Sequence, residues 1–258
     1  MELTWWGTAG FCVTTGGHVF LIDPYLSRNS AARPLQPMGP DDVSGGEQIF
    51  LSHGHFDHAS DVPAIASRAG AAVYCSSGVR DALVQKSLSQ EKIHVVHSDG
   101  YTADFSGYQA QAFFSRHIRF DWLLLMRTIA RMNIHFFRYL PWMRDYPGGQ
   151  VLSWRFSIDG FVIHHFGSAG SPPEELDRLA GQPVDLLLVP LQGHTRICAI
   201  ALKYVQALRP QLVIPHHQDD FFPPISSSVD VEPFVRGVKR ECPDTEVHVM
   251  ALNETVIL

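Results

Sequence analysis

Ser52-His53-Gly54-His55-Phe56-Asp57-His58 places three histidines and an aspartate within six residues, directly after the apolar run 48–52. Neutral imidazoles and carboxylates are the nitrogen and oxygen donors that divalent transition cations prefer. Such side chains converge only where the backbone turns tightly, which Gly54 permits. A surface histidine cluster or a purely structural zinc site would use the same residue types. The dense spacing behind a strand favours a functional site.

Outward from this stretch, short apolar runs at 3–6, 11–15 and 18–22 read as strands, with Gly16-Gly17 marking a hairpin. Asp23-Pro24 stops the third run, and 26–47, rich in Ser, Pro and Gly, reads as a long loop. Apolar spacing predicts helices over 59–69 and 78–88 around a strand at 71–75. The second half repeats this rhythm. Strands at 151–158 and 161–166 flank Asp159-Gly160, and helices at 172–179, 197–208 and 231–240 interleave with strands at 186–190 and 212–215. Strands and helices alternating in both halves predict one layered α/β domain over 1–258, an αββα sandwich in which the halves duplicate one structure.

The composition, 45% hydrophobic and 18% charged, is that of a globular chain. A net charge of −6 supplies no positive field for nucleic acid. The four cysteines, Cys12, Cys75, Cys198 and Cys242, form no Cys-x-x-Cys pair and read as buried free thiols. No secretory leader and no apolar run of membrane-spanning length is evident, so the expected location is the cytoplasm. Residues 118–150 stand apart as an insertion: Trp122, Leu123, Met126, Phe137 and Trp142 alternate with Arg119, Arg127, Arg131, Arg138 and Arg144. This stretch suits a wall over the site that takes an anionic substrate with an apolar part, and equally a homo-oligomer contact or added core.

The His-x-His-x-Asp-His pattern of His53, His55, Asp57 and His58 resembles the signature of the metallo-β-lactamase superfamily, in particular its ascorbate-6-phosphate lactonase-like and phospholipase-D-like branch. Residues 4–11 and Leu21-Ile22-Asp23-Pro24 are similar to the first strands of that family. The resemblance implies an α/β (α+β) four-layer metallo-β-lactamase fold and a metal-dependent hydrolase. Carried over residue by residue, it implies that His53, His55 and His117 hold a first metal, and that Asp57, His58 and His217 hold a second, with His216 competing for the last position. The metals implied are one or two divalent transition ions, zinc foremost and manganese or iron also matching.

One position departs from the pattern. Where the family bridges its metals with an aspartate, this chain has Ser168 in Gly167-Ser168-Ala169-Gly170, and a neutral hydroxyl is a poor bridge. Either the second site is then weak or another carboxylate such as Asp121 or Asp219 substitutes; His164 or His165 is a further contributor, and strand alternation lets only one of them point at the site. Asp23 resembles a family aspartate that orients a ligand histidine, or else caps the turn before Pro24. His194 reads either as a proton donor to the leaving group or as a plain loop histidine. The expected reaction is attack of metal-activated water on an ester, lactone, amide or phosphodiester bond of a small molecule, with Asp57 and His194 as the catalytic candidates. The competing expectation is a degenerate scaffold of the same fold that binds metal without turnover.

Overall fold

The computed structural model describes residues 1–132 and 134–258, without the side chains of Ile134 and His135; Asn133, inside the 118–150 segment, lies outside the described residues. Two mixed sheets face each other. The first is built from β1 (Glu2–Gly7), β2 (Gly10–Thr15), β3 (His18–Ile22), β4 (Gln48–Phe50), β5 (Ala72–Ser76) and β6 (Ile93–Val96), and β14 (Thr255–Ile257) pairs with β1. The second runs from β7 (Tyr101–Phe105) through β8 (Tyr108–Ser115), β9 (Val151–Ile158), β10 (Phe161–Phe166), β11 (Leu186–Pro190) and β12 (Leu212–His216) to β13 (Glu246–Val247). Neighbours are antiparallel from β14 to β3 and parallel from β3 to β6. The second sheet is likewise antiparallel from β7 to β10 and parallel from β10 to β13. The shared pattern agrees with the expected duplication.

Parallel neighbours need crossovers; the loop 23–47 supplies the one from β3 to β4, and helices supply the others. α1 (Phe56–Ala59) and α2 (Val62–Ala69) link β4 to β5, and α3 (Ser77–Gln85) links β5 to β6. Beyond α4 (Trp122–Arg131) and α5 (Leu140–Arg144), helices α6 (Pro173–Leu179), α7 (Ile197–Leu208) and α8 (Glu232–Glu241) connect the strands from β10 to β13. Val62, Ile65, Val79 and Leu83 pack on the outer face of the first sheet, and Leu176, Val205 and Phe234 on that of the second. Between the sheets, Phe11, Phe20 and Phe50 meet Trp154 and Phe156, all fully buried. Strand alternation gives each sheet two apolar faces, so helices outside and aromatics inside produce the αββα order. Trp154 also donates its indole N–H to Leu51 O at 2.9 Å, tying the second sheet to the strand that leads into the histidine segment.

The edge strands β6, β7, β13 and β14 were not expected from sequence. They are short or half-exposed, and carry little apolar signal. The expected helix over 59–69 is two helices, broken at Ser60-Asp61. All four cysteines are free thiols, although only Cys75 is fully buried.

Glu175 on α6 is buried, and that burial pushes its carboxyl up from 4.5 to about 7 against the opposing hydrogen bonds of Ser115 and Ser171. Between those two pH values the folded chain holds a proton that the unfolded chain has lost, so stability falls as pH rises through this window. Glu175→Gln removes that dependence. Its melting temperature is expected to match the wild type at the acidic end and to exceed it increasingly up to neutral pH. A constant offset across the window would refute the assignment.

Candidate metal centre

Each candidate side chain sits just beyond the C-terminal end of a strand, where the two sheets share one rim. Asp23 follows β3, the histidine segment follows β4, His117 follows β8, Ser168 follows β10 and His217 follows β12. Asp23 and His217 have positive φ angles of 42° and 61°, a conformation that non-glycine residues hold only where the surroundings fix it. Gly54 is needed for space rather than for its φ: a Cβ there would lie 2.2 Å from Pro147 O.

The donors converge in two groups, His53 with His55 and His117, and Asp57 with His58 and His217, each with its ligand atoms within 4.8 Å of one another. His53 Nε2 lies 3.1 Å from His55 Nδ1, and His217 Nε2 lies 3.3 Å from Asp57 Oδ2. Three of the imidazoles are held from behind through their other nitrogen: His53 Nδ1 by Ser52 Oγ at 2.9 Å, His58 Nδ1 by Asp23 Oδ2 at 2.8 Å, and His117 Nδ1 by Ile118 O at 2.7 Å. Such outer contacts fix the tautomer and leave Nε2 free to face the centre.

Electrostatics separate the two groups. Burial, followed by the neighbouring histidines, holds His53 well below the usual imidazole range, and burial is the main cause that takes His55 down to about 4, with Asp57 opposing. His117 is lowered as well, chiefly by burial. These are neutral imidazoles, the form that binds a cation. In the second group burial works against charge on both partners, yet Asp23 and Asp57 raise His58, while His58 and His217 hold Asp57 well below the carboxylate range. That spot favours positive charge. A donor set of five imidazoles and a carboxylate with a demand for positive charge fits one or two divalent transition cations.

The remaining candidates fall elsewhere. His216 stacks on His165, with ring centroids 5.0 Å apart in the core, so it is His217 that joins Asp57 and His58. His164 points the other way, against Phe113 and Phe166. Neither carboxylate expected to replace the bridging aspartate is available. Asp121 caps α4 through Leu124 N and also accepts from Thr195, while Asp219 pairs with Arg28 at 2.6 Å and accepts from Thr8 N. His194 Nδ1 lies 3.0 Å from Asp121, and the residue borders a groove beyond His117 rather than the cavity that holds the six donors. Ser168 does line that cavity, and its Oγ accepts from Ile118 N–H at 2.9 Å.

The cavity has a volume of about 420 Å³ and is walled mainly by apolar side chains, among them Leu124, Phe136, Leu140 and Met143 from the 118–150 segment. Trp122 and Phe137, the residues most conspicuous in the sequence, are exposed and do not line it. Sequence reasoning also missed Ser52, whose hydroxyl and backbone N–H both donate to Asp23. Its position next to His53 was the available signal.

A family model described as a beta-lactamase superfamily domain matches residues 2–217. A metal-dependent hydrolase of Carboxydothermus hydrogenoformans is 30% identical over 230 residues, covering 89% of each chain. One from Pyrococcus furiosus is 29% identical and covers 92% of each. Among solved structures, the metallo hydrolase Igni18 of Ignicoccus hospitalis superposes with a TM-score of 0.72 at 22% identity, over 99% of this chain and 97% of that one. The chain belongs to the beta-lactamase superfamily, among its metal-dependent hydrolases.

Proposed function

We propose that the protein hydrolyses a small molecule combining an anionic group with an apolar part, at an ester, lactone, amide or phosphodiester bond. The observation supporting this is that six converging donors share a single apolar cavity. Divalent cations in the two groups, zinc foremost and manganese or iron by the same donor chemistry, would lower the pKa of water toward ~7 and polarise the scissile oxygen. His53, His55 and His117 hold the first position, and Asp57, His58 and His217 the second. Asp57 is the one carboxylate among them and orients the attacking water. Leu124, Phe136, Leu140 and Met143 exclude solvent from the reacting bond. Arg116 and Arg119, on either side of His117, border the adjoining groove rather than the cavity, and supply charge for an anionic group that extends past His117. Four free thiols suit a reducing cytoplasm.

Ser168 favours a second reading, a metal-binding scaffold without turnover, because a hydroxyl brings no charge to share between two dications. Retained metal with no hydrolysis across a panel of esters, lactones and phosphodiesters would select it.

Replacing His55 with Ala is expected to remove most bound transition metal, as read by elemental analysis of the purified protein. Unchanged metal content would overturn the first group. Ser168→Asp adds a carboxylate beside both groups and is expected to tighten the second cation about 10–100-fold in a calorimetric titration, leaving the first unaltered. An unchanged second affinity, or a weakened first one, would show that Ser168 does not occupy the bridging position. For the cavity wall, Leu124→Ala combined with Met143→Ala is expected to raise KM for a p-nitrophenyl octanoate probe about tenfold while leaving the acetate ester unaffected. Equal losses on both esters would remove the wall from substrate binding.

A further inference from the structure

An amphipathic helix ordinarily turns its apolar stripe toward the core. α4 has two such stripes. Leu124, Thr128 and Met132 face the cavity, while on the opposite side Trp122, Met126 and Ile129, with Leu123 beside them, are 73%, 45%, 50% and 50% exposed. At about 100° per residue the outer four fall within one arc of the helix surface and Arg127 lies on its flank, whereas Arg131 falls beside Leu124 on the cavity side. Phe120 just before the helix and Phe137 beyond it are exposed as well. No other part of the described residues displays large apolar side chains in this density.

The charge of the segment is equally one-sided. Residues 116–144 carry six arginines and one aspartate in a chain of net charge −6. The aspartate, Asp121, is engaged as the cap of α4 and by Thr195. Among the described residues none of these arginines has an ion-pair partner within 4.0 Å, although Arg131 lies near enough to Asp220 to lower its carboxyl against the larger effect of burial. A second copy seated two-fold on this face would set arginines against arginines with no acid between them. A surface that is negatively charged outside and apolar beneath matches both features at once.

We propose that the outer face of α4 docks on an anionic lipid bilayer, with Trp122, Leu123, Met126 and Ile129 entering the headgroup boundary and Arg127 meeting lipid phosphates. α4 lies on the bilayer and does not cross it; no helix among the described residues is long and apolar enough to span one. Phe120 and Leu125 both line the cavity and are exposed, so docking turns the cavity mouth toward the headgroups. The docking face stands whether or not the hydrolytic reading holds.

Flotation of the full-length protein with vesicles tests this. Wild-type protein is expected to float with vesicles of equal parts phosphatidylglycerol and phosphatidylcholine, to stay behind with pure phosphatidylcholine, and to be released by high salt. The triple variant Trp122→Gln, Met126→Gln, Ile129→Gln is expected to lose binding by at least about tenfold. Arg127→Gln should lose binding about fivefold. All four positions are exposed, so far-ultraviolet circular dichroism and melting temperature should be unaltered. Failure of the wild type to float, or flotation undiminished in both variants, overturns the proposal. It is also overturned if the wild type is a dimer that the triple change converts to a monomer, because a second copy then covers the face.

Discussion

The carboxylate of Asp23 is the point on which the site depends. It is fully buried and accepts from the backbone N–H of Ser52, from the Ser52 hydroxyl and from His58 Nδ1. A buried carboxylate is tolerated only with such a complement of donors. These donors join the end of β3 to the end of β4 and to the helical turn that carries His58. The Ser52 hydroxyl also meets His53, so one residue orients a histidine of each donor group. The close packing extends to the second sheet: a Cβ on Gly167 would lie 1.9 Å from Ser52 Oγ and 2.9 Å from Asp23 Oδ2. The glycine before Ser168 is therefore a requirement of the Asp23 network, independent of what residue 168 does.

The network makes the two donor groups unequal. The first consists of three neutral imidazoles, and its affinity for a cation comes from coordination alone. The second contains Asp57 and is backed by Asp23, so two carboxylates surround His58 and hold it toward the charged state. A cation there is favoured by charge as well as by coordination, yet no further carboxylate reaches across to the first group. Asp121 and Asp219 are bound to a helix start and to a buried arginine. Ser168, which lines the cavity, brings no charge to the two donor groups, and neither Asp121 nor Asp219 makes up for it.

The local parts of this arrangement were legible in the sequence. His53, His55, Asp57 and His58 share one turn, so their spacing alone announces convergence. His117 and His217 lie on distant strand ends and emerged only through resemblance to a family; nothing in their own neighbourhoods distinguishes them from His194 or His216. The choice between His216 and His217 depended on a left-handed backbone at residue 217, which no side-chain pattern reports. The Asp23–Ser52 contact follows from the parallel register of β3 on β4, with Ile22 opposite Phe50, and register between strands separated by a long loop is not a local property. The apolar richness of 118–150 was plain in the sequence. Which of its residues face inward was not: Trp122 drew attention by its type, while the less conspicuous Leu124 forms the wall.

That segment also shows what the fold itself does not require. β8 and β9 are antiparallel neighbours, in register from Ser115–Val151 down to Gln109–Ser157, and such a pair can be closed by a two-residue turn. Residues 116–150 intervene instead. The segment completes the outer core of the first sheet, where Phe136 and Tyr146 are buried and Trp142 packs on Phe56, and it also contributes the cavity wall and the surface beyond it. The inner stripe of α4 has an evident role in closing the cavity. A helix with only that role would carry polar residues on its outer side, since leaving Trp122, Met126 and Ile129 in water forgoes the burial that usually accounts for such side chains. Two apolar stripes on one short helix therefore imply two apolar environments, and the cavity is only one of them.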